Sequence, residues 1–397
     1  MTTAARTWAE GAEERIQATL AAHAEDGSVP GLVWRASRGE DVIGGVAGVM
    51  TLGGVPMRRD AIFRVASLSK PVTAVAALSA IEAERFALDD AVDRWLPELA
   101  DRRVLRRQAG PIDDTVPAER PITVRDLLRF TSGYGYDFAS EGGQAQLDEM
   151  IRLDLGFGPP APAKMLPVDE WMARLGTIPL DHQPGAAWRY HVSSELLGVL
   201  LARADGEPLE AVLRRRVFEP VGMVDTAFSV GRDDVERMTT CYAGDPETGT
   251  PTPYDPPDGQ WAAPPPFPSG GGGLVSTADD FFAFGTMLRR RGEGAVARVI
   301  STESVTAMTT DQLDPDGPGI APDGATGWGF GVDVQRRRGE GPRSPGSYGW
   351  IGGLGTLWMN DPAEDLVGVL LTNQAMTSPE MTAVMTAFWA AVYAELA

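Results

Sequence analysis

Between Ser67 and Ala83 the chain carries apolar side chains on every face of a helix: Val72, Ala74, Val75, Ala76, Ala77, Leu78, Ala80 and Ile81. A helix with no polar face is stable only when protein surrounds it, so the fold has to be built around this segment. Pro71 is tolerated only in a first turn, which places the helix start close to Ser67. Into this apolar stretch the sequence sets Lys70. Only Lys70 and Lys164 are lysines among 35 basic residues; wherever a surface cation suffices, arginine is used. Lysine differs from arginine in that desolvation can strip its proton and leave a base. Lys164, in a Pro-rich stretch, reads as a solvated charge.

Around this helix the pattern predicts an amphipathic helix over residues 8–24 and two strand-like runs, from Gly31 and from Asp41, joined by a turn at Arg38-Gly39-Glu40. A further strand-like run, Ala61 to Val65, leads into Ser67. Helical segments at 123–130, 168–175, 193–204 and 207–218 are separated by Pro/Gly-rich stretches, of which 156–162 and 251–273 are long enough to line a site. Strand-like runs return at 328–334, 355–359 and 366–372, before a final helix over about 379–396. The expectation is an α+β fold: an antiparallel sheet from both chain ends, flanked by helices, with a mainly helical insertion. Residues 1–66 together with 320–397 would form the sheet region, and 67–319 the helical region, with the active site between them.

Ser67-Leu68-Ser69-Lys70 is an S-x-x-K motif at a helix start. Residues three apart share a helix face, so the Ser67 hydroxyl and the Lys70 amine can meet. The helix start offers backbone N–H groups to an oxyanion near Ser67. Chance alone supplies about 0.1 such motifs in a chain of this composition. Two further features stand out: a turn from Pro184-Gly185 that delivers Tyr190 ahead of a helix, and a Gly-rich strand edge from Tyr348 through Trp350, Gly352 and Gly353 to Trp358. The run Ser269-Gly-Gly-Gly-Gly lacks the lysine and spacing of a phosphate loop. The three histidines make no Ser-His-Asp arrangement, and His191, beside Tyr190, is the one near the suspected site. Cys241 has no Cys or His neighbours at ligand spacing, and no cofactor or metal is expected.

Taken in order, these features resemble the serine β-lactamase and penicillin-binding superfamily, and most closely its family VIII carboxylesterases of the EstB type. The resemblance also takes in Ile122 to Tyr134, Phe267 to Leu274, Trp328-Gly-Phe-Gly and Leu370 to Asn373. It implies that Ser67 is the acylated nucleophile, that Lys70 and Tyr190 share the acid/base work, and that the N–H groups of Ser67 and Gly353 form an oxyanion hole. Which of Lys70 and Tyr190 takes the serine proton is left open.

Two departures from that pattern bear on the reaction. Where the lactamases and peptidases have Y-x-N, this chain has Val192, which offers no side-chain hydrogen bond. Where they have a Lys- or His-headed triplet, it has Trp350-Ile-Gly352, which removes a cation and adds an apolar wall. A pocket walled by Trp350 and by Tyr134, without that cation, should favour an uncharged, apolar ester over a carboxylate-bearing substrate. A serine carboxylesterase is therefore expected, with an acyltransferase as the first alternative and a β-lactamase or D-amino peptidase as the second. A binding module that has lost turnover is disfavoured by the intact Ser67, Lys70 and Tyr190.

A formal charge of −20 argues against nucleic-acid and anionic-membrane partners. No apolar run reaches the length of a membrane span, and Met1 to Glu10 lack the apolar region of a secretory signal. The expected partner is a small ester and the expected compartment the cytoplasm. Oligomeric state is not readable.

Overall fold

The turn at Arg38-Gly39-Glu40 forms a hairpin, closed by the Arg38–Asp41 pair, between β1 (Gly31–Arg38) and β2 (Asp41–Gly48). In the computed structural model, residues 7–137, 143–245, 250–314, 319–321, 323–339 and 341–396 are described. Residues 1–6 of the amino-terminal stretch, and 138–142 and 246–249 in the long loops, lie outside the described residues.

Five more strands complete one antiparallel sheet: β3 (Thr326–Trp328), β4 (Asp333–Gln335), β5 (Tyr348–Gly352), β6 (Thr356–Asp361) and β7 (Leu366–Thr372). Their spatial order is β2-β1-β7-β6-β5-β4-β3. The two chain ends meet where β1 pairs with β7, Leu32 opposite Thr372 and Arg38 opposite Leu366. The run expected at 328–334 is thus two strands. Gly329 N–H bonds to Val332 O at 2.9 Å, and Gly331 takes φ 76° in the turn. A Cβ on Gly331 would lie 2.7 Å from Ala74 Cβ, so this turn packs directly on the buried helix.

Both sheet faces are covered, which is why β7 reads as a continuous apolar run. Leu366 and Leu370 point toward α1 (Ala12–Glu25) and α5 (Ala383–Ala394), packing with Ile16, Leu20, Trp34 and Phe388. Val367, Val369 and Leu371 point the other way, into a core shared with α2 (Ser69–Glu82). This is the two-residue alternation of a strand, with apolar residues in both phases. The expected 207–218 helix is α-helical over Leu209–Leu213 and continues as a wider π turn, Arg214–Phe218.

The structure departs from the expected division at α4 (Ala278–Arg289). That helix falls within 67–319 but packs on β1, β6 and β7 of the sheet. Gly285 permits the approach: a Cβ there would stand 2.4 Å from Trp358 Nε1 and 2.7 Å from Val367 Cγ1. Among the described residues no helix is long and apolar enough to cross a membrane. Overpacking of this kind costs about 1–3 kcal/mol, so Gly285→Ala should lose about that much in denaturant unfolding. Unchanged stability would contradict the close helix–sheet contact.

Candidate active site

The helix expected from Ser67 begins as a 3-10 turn, Ala66–Leu68, that runs into α2. Ala66 sits at φ 46°, a left-handed conformation that costs a non-glycine residue on the order of 1–3 kcal/mol. This strained turn follows a two-residue strand, Phe63–Arg64, all that remains of the strand expected over 61–65. That strand pairs with Val275–Ser276, and Arg64 is held in a buried ion pair with Asp255. The turn that carries Ser67 is thereby fixed on its upstream side.

Lys70 is fully buried, with its amine 3.0 Å from Ser67 Oγ. The Tyr190 hydroxyl also donates to Ser67 Oγ, at 2.9 Å, and the Lys70 amine lies 4.7 Å from the centre of the Tyr190 ring. The indole N–H of Trp350, on β5, donates to the Tyr190 hydroxyl at 3.0 Å. Gly352 ends β5 close to the turn that carries Ser67: a Cβ there would lie 2.3 Å from Val65 O. Gly353 follows at the end of the strand, with its carbonyl taken by Met376 N–H at 2.9 Å.

The glycine run 270–273 has a use that its composition did not reveal. It lies along α3 (Val192–Asp205), where a Cβ on Gly270 would be 2.7 Å from Ser194 O and one on Gly271 2.6 Å from Glu195 Oε1. The closeness lets three side chains of α2 grip the run. Ser69 Oγ accepts from Leu274 N–H at 3.0 Å, Lys70 Nζ donates to Gly271 O at 2.5 Å, and Thr73 Oγ1 donates to Gly270 O at 2.8 Å. His191 was also underrated: its Nδ1 lies 3.2 Å from Lys70 Nζ.

Two expected substrate contacts are placed elsewhere. Tyr134 is wholly buried in the core, its hydroxyl donating to Ile178 O at 3.1 Å, so it does not wall the site. Gly135, at φ 127°, redirects the chain, and Tyr136 instead packs its ring 5.6 Å from Tyr190. The repeated Gly-Tyr of Gly133 to Tyr136 was the available signal. Val192 begins α3 with its side chain in the same core. Behind Trp350 and Tyr190 lies an aromatic cluster: the buried Trp328 meets Trp350 edge-on at 4.8 Å, and Phe130 and Trp188 pack tilted against Tyr190.

Burial pushes the Lys70 amine down to about 7, against the opposing pull of Glu195. Burial pushes the Tyr190 phenol up to about 12, against its hydrogen bonds with Ser67 and Trp350. Near neutral pH the amine can therefore accept a proton while the phenol keeps its own. Among the described residues no group of three or more His, Cys, Asp or Glu is placed to hold a metal ion.

Comparison with known proteins bears on the family and the fold. The beta-lactamase family profile matches residues 16–387. An uncharacterized protein of Mycobacterium tuberculosis (strain CDC 1551 / Oshkosh) is 40% identical over 324 residues, covering 79% of this chain and 78% of its own. Esterase EstB of Burkholderia gladioli is 32% identical over 361 residues, covering 85% and 84%. Among solved structures, EstCE1, described as a hydrolase with promiscuous acyltransferase activity, superposes with a TM-score of 0.80. The identity is 26%, over 97% of this chain and 99% of that one.

With two lysines in the chain, protein carrying carbon-13 at lysine Cε should give two signals. One should titrate with a midpoint near pH 7 and disappear in Lys70→Met. A Lys70 midpoint at its ordinary value of 10.5 would contradict the desolvated amine.

Proposed function

Given that this chain belongs to the beta-lactamase family and is a serine hydrolase of that superfamily, we propose that it is a carboxylesterase acting on small, uncharged, apolar esters through an acyl-Ser67 intermediate. The observation that carries this reading is the hydrogen bond from Trp350 Nε1 to the Tyr190 hydroxyl. It gives the phenol a donor without placing a cation beside it. A substrate carboxylate at that wall would lose its hydration and gain no counter-charge, whereas an uncharged acyl or alkyl group gains apolar contact with the half-buried Trp350 and Tyr136. Val192, buried in the core, offers no hydrogen bond to a substrate amide. This weighs against the β-lactamase and peptidase alternatives.

In the proposed reaction Lys70 takes the Ser67 hydroxyl proton as the Oγ–acyl carbon bond forms. The oxyanion is received by the N–H groups of Ser67 and Gly353. On collapse the bond to the alcohol breaks, and the departing alkoxide takes the Tyr190 proton, which the Lys70 ammonium restores. Water then repeats the sequence against the acyl-enzyme. Lys70 is assigned as the base because its amine, and not the Tyr190 phenol, is the group that can be unprotonated near neutrality. Transfer of the acyl group to an alcohol uses the same steps with a different acceptor. The description of EstCE1 as a hydrolase with promiscuous acyltransferase activity keeps that second reading in view.

Three measurements test this. Turnover of p-nitrophenyl esters should exceed that of a chromogenic cephalosporin and fall on the order of 10³-fold or more in Ser67→Ala; surviving ester turnover would sink the nucleophile assignment. Below pH 7 the amine binds a proton and ceases to be a base, so log kcat/KM should fall with unit slope on the acid side of about 7. Trp350→Phe, which keeps the ring and removes the N–H, should lower kcat about tenfold with little change in KM, one hydrogen bond of about 1.4 kcal/mol.

A further inference from the structure

His191 occupies a backbone conformation that ordinary residues avoid, φ 83° and ψ −62°, with Val192 N–H bonded back to Tyr190 O at 3.3 Å. This is a γ-turn of the rare, strained hand. It lies between Tyr190 and the first turn of α3, and it turns the imidazole onto Lys70. The second ring nitrogen, Nε2, is 3.1 Å from Glu195 Oε1, one helical turn on. The same carboxylate oxygen accepts from Ser269 Oγ at 2.6 Å.

We propose that His191 and Glu195 are positioning residues: they hold an acceptor against Lys70 that aims the amine's lone pair at Ser67. The proposal rests on the reading of Ser67 as nucleophile and Lys70 as base. An ionised Glu195 can only accept, so His191 Nε2 carries the ring proton and Nδ1 presents a lone pair. The acceptors Gly271 O and His191 Nδ1 then lie 2.5 and 3.2 Å from Lys70 Nζ, with Ser67 Oγ at 3.0 Å. A neutral amine has two N–H bonds and one lone pair. With both N–H bonds committed to Gly271 and His191, the lone pair is left facing the serine hydroxyl. When the amine takes the serine proton, its third N–H already points at Oγ, and no partner has to move.

Glu195 adds a charge to this geometry. It is buried, and among the described residues no hydrogen bond reaches its other oxygen, Oε2. Burial raises its pKa, but the hydrogen bonds and charges of His191, Ser269 and Lys70 outweigh that and keep it below the usual carboxylate range. Its charge favours the Lys70 ammonium. The titratable groups that face the amine are Tyr190, His191 and Glu195, with Tyr136 packed behind Tyr190 and His191. The arginines of the π turn that packs on α2 pair instead with Asp205, Glu207 and Glu210.

The test compares His191→Leu, His191→Asn and Glu195→Gln with the wild type by kcat and KM for p-nitrophenyl butyrate across pH 5–10. Thermal unfolding and fluorophosphonate labelling of Ser67, read by mass spectrometry, accompany each. His191→Leu should lower kcat about 10- to 100-fold with KM nearly constant. His191→Asn, whose amide oxygen falls near the Nδ1 position, should recover most of that loss. Glu195→Gln keeps an acceptor for the ring N–H but removes the charge, so the acid limb of kcat/KM should move to lower pH. The proposal is overturned if His191→Leu leaves kcat unchanged in a folded protein, if asparagine rescues no better than leucine, or if the acid limb of Glu195→Gln does not move. Efficient labelling of Ser67 alongside such results would leave the nucleophile assignment standing. Failure to label Ser67 in the wild type would remove that assignment and the proposal with it.

Discussion

A lysine amine held out of water is the condition on which the rest of this site depends. An ammonium ion in an apolar interior is costly, and the protein meets that cost by lowering the amine's proton affinity and by supplying polar partners. The all-apolar α2 provides the burial. Partners come from elements far apart in sequence: the Gly271 carbonyl and the γ-turn at His191. Each needs local backbone concessions, the glycine run that closes on α3 and a non-glycine residue at positive φ. The Ala66 conformation is a third, and it sets Ser67 at the head of the helix that carries Lys70. Of the eight non-glycine residues at positive φ among the described residues, Ala66 and His191 stand beside the reacting groups, where such strain can serve function.

The second determinant is the absence of charge at Trp350. The fold and the Ser–Lys–Tyr geometry permit several acyl-transfer chemistries. In the proposed reading they are narrowed by the indole that donates to the phenol. An indole donates one hydrogen bond and otherwise presents an apolar face, so it supports the tyrosine without selecting an anionic substrate. The buried rings of Phe130 and Trp328, with Trp188, back Trp350 and Tyr190 with further apolar surface.

Much of the fold was legible because its signals are local. Turn residues at Arg38–Glu40, the apolar run of β7 and the apolar α2 state their environments directly. The meeting of Ser67 and Lys70 was legible too, as a consequence of helix spacing, and Tyr190 and Trp350 entered through the order of motifs. What could not be read depended on partners distant in sequence. The run 270–273 was recognisable as unsuited to phosphate, but its close approach to α3 is a tertiary fact. The glycines at 329 and 331 divide a run that looks continuous, and α4 crosses to the sheet although its sequence neighbours do not. Tyr134 and Tyr136 differ only in how Gly135 turns between them, which exchanged the residue expected at the wall for its neighbour. His191 could be read only as the histidine near the suspected site; its contact with the Lys70 amine is a tertiary fact.

The central claim, an acyl-enzyme on Ser67, is most directly tested by acid-quenching the protein within milliseconds of mixing with a p-nitrophenyl ester and mapping the added mass by peptide sequencing. The account predicts an increment equal to the acyl group on Ser67, appearing with the burst of p-nitrophenol and disappearing as ester is exhausted. Turnover of the ester with no acyl mass at any time on Ser67, or with that mass on another residue, would contradict it.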